Sequence, residues 1–141
     1  MLPHNHFIIA GLVIAPVALI AGQNPGVDQL GLWIAAGGLA SVLVDLDVVA
    51  LVYLRAAKED RLKPYRNPVK IFTKFKEFMR IIADCGLLKT AMQTHFLLSA
   101  ILLLLVYCFG KDLIIPVALG VISHLVSDIP NILRRRSETQ P

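Results

Sequence analysis

Apolar residues come in four long runs along this chain: Phe7–Gly22, Val27–Leu54, Thr94–Phe109 and Leu113–Leu133. Each approaches the roughly 20 residues that a helix needs to cross the hydrocarbon core of a bilayer. The first and third runs are followed by short polar breaks at 23–26 and 110–112, whereas a long basic segment, 55–92, lies between the second and the third. The pattern predicts transmembrane helices at about 6–22, 27–54, 93–109 and 113–133. Inside the long separator the period changes. Ile71, Phe72, Phe75, Phe78, Met79 and Ile82 share one helical arc, and Lys70, Lys74, Glu77 and Arg80 share the other. That is the signature of an amphipathic helix over 69–82 lying in the membrane interface. Pro64 and Pro68 divide it from the second helix.

Composition agrees with this reading. The 141 residues are 56% apolar and only 17% charged, with a mean hydropathy of +0.67, which excludes an ordinary soluble domain. The expected fold is all-α: one integral membrane domain over 1–141, with four transmembrane helices and one amphipathic interfacial helix on the cytoplasmic side. The first run lacks the basic segment that precedes the core of a signal peptide, so it reads as a retained helix. Cys85 and Cys108 form no CxxC pair and fall near opposite faces of this layout, so no internal disulfide is expected.

Charge orients the helices. Of the 14 Lys and Arg residues, Arg55, Lys58, Arg61, Lys63, Arg66, Lys70, Lys74, Lys76, Arg80 and Lys89 lie in or beside the long separator. Arg134, Arg135 and Arg136 follow the fourth run. With four spans, both termini and the separator share one side, which the positive-inside rule makes cytoplasmic. The expected location is the cytoplasmic membrane, multi-pass. Lys70, Lys74 and Arg80 are placed to bind anionic lipid headgroups. A pI near 9.3 also raises nucleic acid as a partner. The aromatic side chains face away from the charges and offer bases no stacking platform, so lipid is the favoured partner.

Six residues break the apolar runs: His6, Asp45, Asp47, His95, His124 and Asp128. At about 1.5 Å rise per residue, His124 lies roughly 15 Å below Arg134, Asp128 roughly 9 Å, and Asp47 roughly 12 Å below Arg55. His6 and His95 open their helices from the cytoplasmic side, so all six fall in one leaflet. Ionisable side chains at that depth are costly and mark function. His124 and Asp128, four apart, share a helix face and can meet one ion. Asp45 and Asp47, two apart, point about 200° away from each other on an ideal helix, so one can ligate while the other orients a histidine or acts as general base. Imidazole and carboxylate donors without thiolate suit a divalent ion, Zn²⁺ first and Mn²⁺ or Fe²⁺ next, one or two in number. The plainer alternative is a set of buried Asp–His pairs that pin helices together.

Four short pieces then carry a family likeness: His6 with the run behind it; Leu43-Val44-Asp45-Leu46-Asp47; Thr94-His95; and Leu119-Gly120-Val121-Ile122-Ser123-His124 leading to Asp128. In order and spacing they resemble the YdjM-like membrane-bound metal-dependent hydrolases. The resemblance covers residues 1 to about 130 and implies a polytopic helical fold, these histidines and aspartates as metal ligands, and hydrolysis. The chain departs from the family pattern at Val44, where a Pro is usual, at Val48, where a His is usual, and at Thr90, Ala91 and Met92, where His-Arg-Gly is usual.

Three functions follow as expectations. The first is a hydrolase acting from the cytoplasmic leaflet on a lipid or other membrane-soluble ester, phosphoester or amide. Its metal ligands would be His6, Asp45, His95, His124 and Asp128, with Asp47 and Asp45 as the catalytic carboxylates. The second is a non-catalytic carrier or store of metal or protons. The third is a membrane scaffold working through the basic interfacial helix. Four short helices enclose little space, so a homo-oligomer is also expected.

Overall fold

A computed structural model of the protein describes residues 3–20 and 26–138, with side chains described over 4–20 and 26–129. The outer break expected at 23–26 lies, apart from Gly26, outside the described residues, as do the side chains of Arg134, Arg135 and Arg136. Among the described residues the chain is all-helical, without a strand. The helices are α1 (Pro3–Ile20), α2 (Val27–Leu43), α3 (Leu46–Arg55), α4 (Pro68–Thr73), α5 (Phe75–Asp84), α6 (Leu87–Phe109) and α7 (Ile114–Glu138), with 3-10 turns at Asp60–Arg66 and Lys111–Leu113.

Three stretches are long and apolar enough to cross a membrane: Val27–Arg55, which is α2 running into α3, Leu87–Phe109, and Lys111–Ile129. The apolar helix at His4–Ile20 is shorter. Only 11% of the most apolar window of α6 is buried, and Leu104, Tyr107 and Phe109 stand out from it. Continuous apolar surface of this kind needs an apolar surrounding.

Glycines bring α1, α2 and α7 together. A Cβ on Gly120 of α7 would overlap the backbone carbonyl of Gly37 in α2. One on Gly37 would overlap Ile14 and the Pro116 carbonyl, and one on Gly38 would lie 2.6 Å from ring carbons of Phe7. Small residues here let backbones touch, as membrane helix packing requires. Ala10, Ile14 and Ala18 pack with Trp33, while Ala40, Val44, Val117 and Val121 form the next layer.

The second apolar run is not one continuous helix. Asp45 N bonds Val42 O at 3.1 Å and Val48 N bonds Asp45 O at 3.2 Å. These i to i+3 bonds tighten the turn between α2 and α3, a local 3-10 geometry of the sort that often marks a functional position.

The separator also differs from the single amphipathic helix read from periodicity. Lys74, at φ −119 and ψ 38, splits it into α4 and α5. Asn67 caps α4 by accepting from Val69 N at 3.0 Å, with Pro68 following it. The apolar arc is shared between two surroundings. Ile71, Phe78 and Ile82 are buried in a protein core with Val52, Ala56, Leu62, Tyr65 and Leu87, whereas Phe72 is 54% exposed. The third apolar helix begins at Leu87 rather than 93, because Gly86 takes a left-handed φ of 69 that turns the chain out of α5. His95 therefore lies two turns inside α6 and not at its start.

Candidate metal centre

Five helical segments converge on one polar cluster. The first turn of α1 brings His6, the α2–α3 turn brings Asp45, α3 brings Asp47, α6 brings His95, and one face of α7 brings His124 and Asp128. His6 and His124 are fully buried and His95 nearly so. Their rings lie close and tilted to one another, with centroids 4.1 Å apart for His6 and His124 and 5.3 Å for His95 and His124.

His6, Asp45, His124 and Asp128 each aim one donor atom at a common centre, all within 4.8 Å of one another. His6 Nε2 is 3.6 Å from Asp128 Oδ1 and 3.8 Å from Asp45 Oδ2. His124 Nε2 is 3.7 Å from Asp128 Oδ2 and 3.8 Å from Asp45 Oδ1. These separations exceed hydrogen-bond length. They approach the roughly 3.3 Å between neighbouring ligand atoms around a tetrahedral zinc with bonds of about 2.0–2.1 Å. Among the described residues, His6 Nε2, His124 Nε2 and Asp45 Oδ2 are buried without a hydrogen-bond partner. Buried polar atoms left in this state are costly unless something binds them. The donor set fits a divalent cation, and these four residues can hold one.

Outer contacts fix two of the imidazoles. His95 Nδ1 donates to Asp47 Oδ2 at 2.6 Å, and the same oxygen accepts from the Thr94 hydroxyl. That bond keeps the proton on Nδ1 and leaves the Nε2 lone pair of His95 toward the cluster, 3.7 Å from Asp45 Oδ1. Ser127 repeats the arrangement for His6. Its hydroxyl donates to the His124 carbonyl at 2.8 Å and lies 3.0 Å from His6 Nδ1, so its oxygen is set to accept the Nδ1 proton. A metal-binding histidine is typically oriented in this way through its other nitrogen.

The six residues read from the sequence thus divide. Four form the group that could hold an ion, Asp45 among them. His95 stands at its edge, and Asp47 lies behind His95. Ser127 was missed by the sequence reading, although it lies three residues after His124 on the same helix, where a hydroxyl reaches the neighbouring turn. His4 is exposed. Of the basic residues expected to meet headgroups, Lys70 and Lys74 line a surface cavity of about 350 Å³ together with Arg61 and Tyr65, and Arg80 stands outside it.

A second cavity, of about 200 Å³, adjoins the cluster. Its polar lining is Asp45, His95 and Asp128 at one end, and the rest is apolar side chains of α2, α3, α4, α5 and α6. Comparison of the chain with family models, curated proteins and solved structures finds no match, so none of the three identifies a YdjM-like family. Fold and site together define an all-helical chain with membrane-length apolar helices and a buried His/Asp group able to hold a metal ion.

Proposed function

We propose that the protein is a membrane-embedded, metal-dependent hydrolase of the YdjM-like kind, acting on a lipid or other membrane-soluble ester, phosphoester or amide. The carrying observation is that His6 Nε2, His124 Nε2 and Asp45 Oδ2 are buried, unpartnered and convergent. Structural Asp–His pairs would be hydrogen-bonded to one another, as His95 and Asp47 are. His6 Nε2, His124 Nε2 and Asp45 Oδ2 are not.

In this reading His6, Asp45, His124 and Asp128 hold the ion, with His95 available as a further ligand and zinc favoured by the mixed imidazole and carboxylate donors. A bound divalent ion supplies Lewis acidity and lowers the pKa of a coordinated water. Asp47 and Ser127 hold His95 and His6 in the tautomer that offers Nε2. The apolar cavity walls exclude bulk water from one side of the cluster. Asp45, with one oxygen turned to His95 and His124, is placed to accept a proton next to the site of attack.

We read the chain as four spans, counting the shorter α1, with both termini and the basic separator on the cytoplasmic side, as the positive-inside rule favours. The exposed Lys70 of α4, Lys74 between the helices and Arg80 of α5 then meet anionic headgroups. The carrier reading is less well supported, since the cluster opens into an apolar cavity rather than a polar path.

The test is turnover by the metal-loaded protein in phospholipid nanodiscs, against a panel of long-chain esters, amides and phosphoesters. Hydrolysis that is lost on chelation and in Asp128→Ala is the expected result. Full metal occupancy with no turnover on any member of the panel would favour the carrier.

A further inference from the structure

The cavity beside the cluster has a polar end and an apolar body. On α6 it is lined by Leu88, Ala91, Met92 and His95, positions that follow one face of the helix over about 10 Å. On the opposite wall α3 contributes Val48 and Val49, and α4 with α5 closes the space with Ile71, Phe75, Phe78 and Met79. Every ionisable residue in its lining, Asp45, His95 and Asp128, is at the cluster end. A group that reacts at the cluster must therefore carry hydrocarbon in the rest of the cavity, because any polar atom placed there would lose its hydrogen bonds.

Size narrows the occupant. An apolar cavity of about 150 Å³ accepts a molecule as large as benzene. One of about 200 Å³ that follows α6 for two turns suits a single alkyl chain and not a pair. Phe72 of α4 lines the cavity and is 54% exposed, so such a chain can enter beside it from surrounding lipid.

We infer that this cavity seats one hydrocarbon tail of a membrane amphiphile, with the hydrolysable head at the His/Asp cluster and the tail running under α4 and α5. The head chemistry rests on the hydrolase reading above. The tail seat stands on the cavity itself and is tested separately.

The experiment is photo-crosslinking of the full chain in nanodiscs with straight-chain fatty acids, whose carboxylate stands in for a hydrolysed head. One probe carries a diazirine near the carboxylate and another carries it several carbons along the tail, and the labelled peptides are mapped by mass spectrometry. The near probe is expected on Met92 and its neighbours, and the far probe on Leu88, Phe78 and Met79. Ala91→Phe, which fills the cavity from α6, is expected to cut both signals at least tenfold while metal content stays at the wild-type level. Val49→Phe fills it from the opposite wall and serves if Ala91→Phe loses its helical circular dichroism. The wild-type register is decisive by itself. Labelling confined to bilayer-facing Phe96, Leu97 and Leu104, or a register with the far probe at Met92, would overturn the tail seat even where metal and turnover persist. Correct labelling without turnover would leave the tail seat standing and count against the hydrolase.

Discussion

His95 Nδ1 and Asp47 Oδ2 are 2.6 Å apart, joining α6 to α3, while Asp45, only two residues before Asp47, faces the ligand group. Two neighbouring carboxylates, one at the 3-10 turn and one in the first turn of α3, thus meet different partners. One lies against the cluster, and the other secures an imidazole from behind. Removing the second should weaken the centre without abolishing it. Asp47→Ala is expected to reduce metal affinity about 10- to 100-fold at unchanged stoichiometry, the usual effect of losing such a contact. Competition against a fluorescent chelator measures it, and unchanged affinity would show that His95 contributes nothing to binding.

Ser127 holds His6 in the same manner from α7. Ser127→Ala should lower affinity about tenfold, at the weaker end of that range, because a neutral hydroxyl orients an imidazole less firmly than a carboxylate. The same chelator competition reads it. A loss as large as that of His124→Ala would mean that Ser127 is itself a ligand.

The Gly37–Gly120 contact sets the spacing of α2 and α7, and with it the distance from Asp45 to His124. A methyl at Gly120 has no room beside the Gly37 carbonyl. Gly120→Ala is therefore expected to destabilise the fold by about 1–3 kcal/mol and to lower metal occupancy with it. Gly31→Ala, with nothing within 4 Å of the added Cβ, should change neither. Thermal unfolding in detergent distinguishes the two variants, and equal melting temperatures would contradict the close-packed contact.

Topology can be read with the native thiols, since Cys85 and Cys108 are both free. A membrane-impermeant maleimide applied to intact cells should label Cys108 in a Cys85→Ser variant. Cys85 in a Cys108→Ser variant should react only after permeabilisation. Burial raises the Cys85 thiol above its usual range, which lowers its thiolate fraction, so mildly alkaline pH speeds that reaction. Labelling of Cys85 from outside would reverse the orientation.

Much of this was legible in the sequence because a bilayer restricts what an apolar run can carry. His6, Asp45, His124 and Asp128 stood out as polar interruptions at a common depth, and the structure brings them to one centre. Their partners were harder to see. Ser127 resembles any small residue of a membrane helix until the fold sets it against α1. The α2–α3 turn is hidden because apolar residues continue through it and periodicity registers no break. The start of α6 was signalled by Gly86, whose left-handed conformation ends α5, but the polar residues after it mask the helix up to Thr94. Interfacial periodicity showed that α4 and α5 have an apolar side. It did not distinguish lipid from the protein core formed with Val52, Leu62 and Tyr65.

The most direct measurement is the metal content of the detergent-purified protein by elemental mass spectrometry, beside a His124→Ala, Asp128→Ala double variant that retains wild-type helical circular dichroism. Stoichiometric metal in the first, lost in the second, is the expected result. No metal in either, even after dialysis against Zn²⁺ or Mn²⁺, would contradict a metal centre and reduce the cluster to buried histidines and aspartates that only hold helices together.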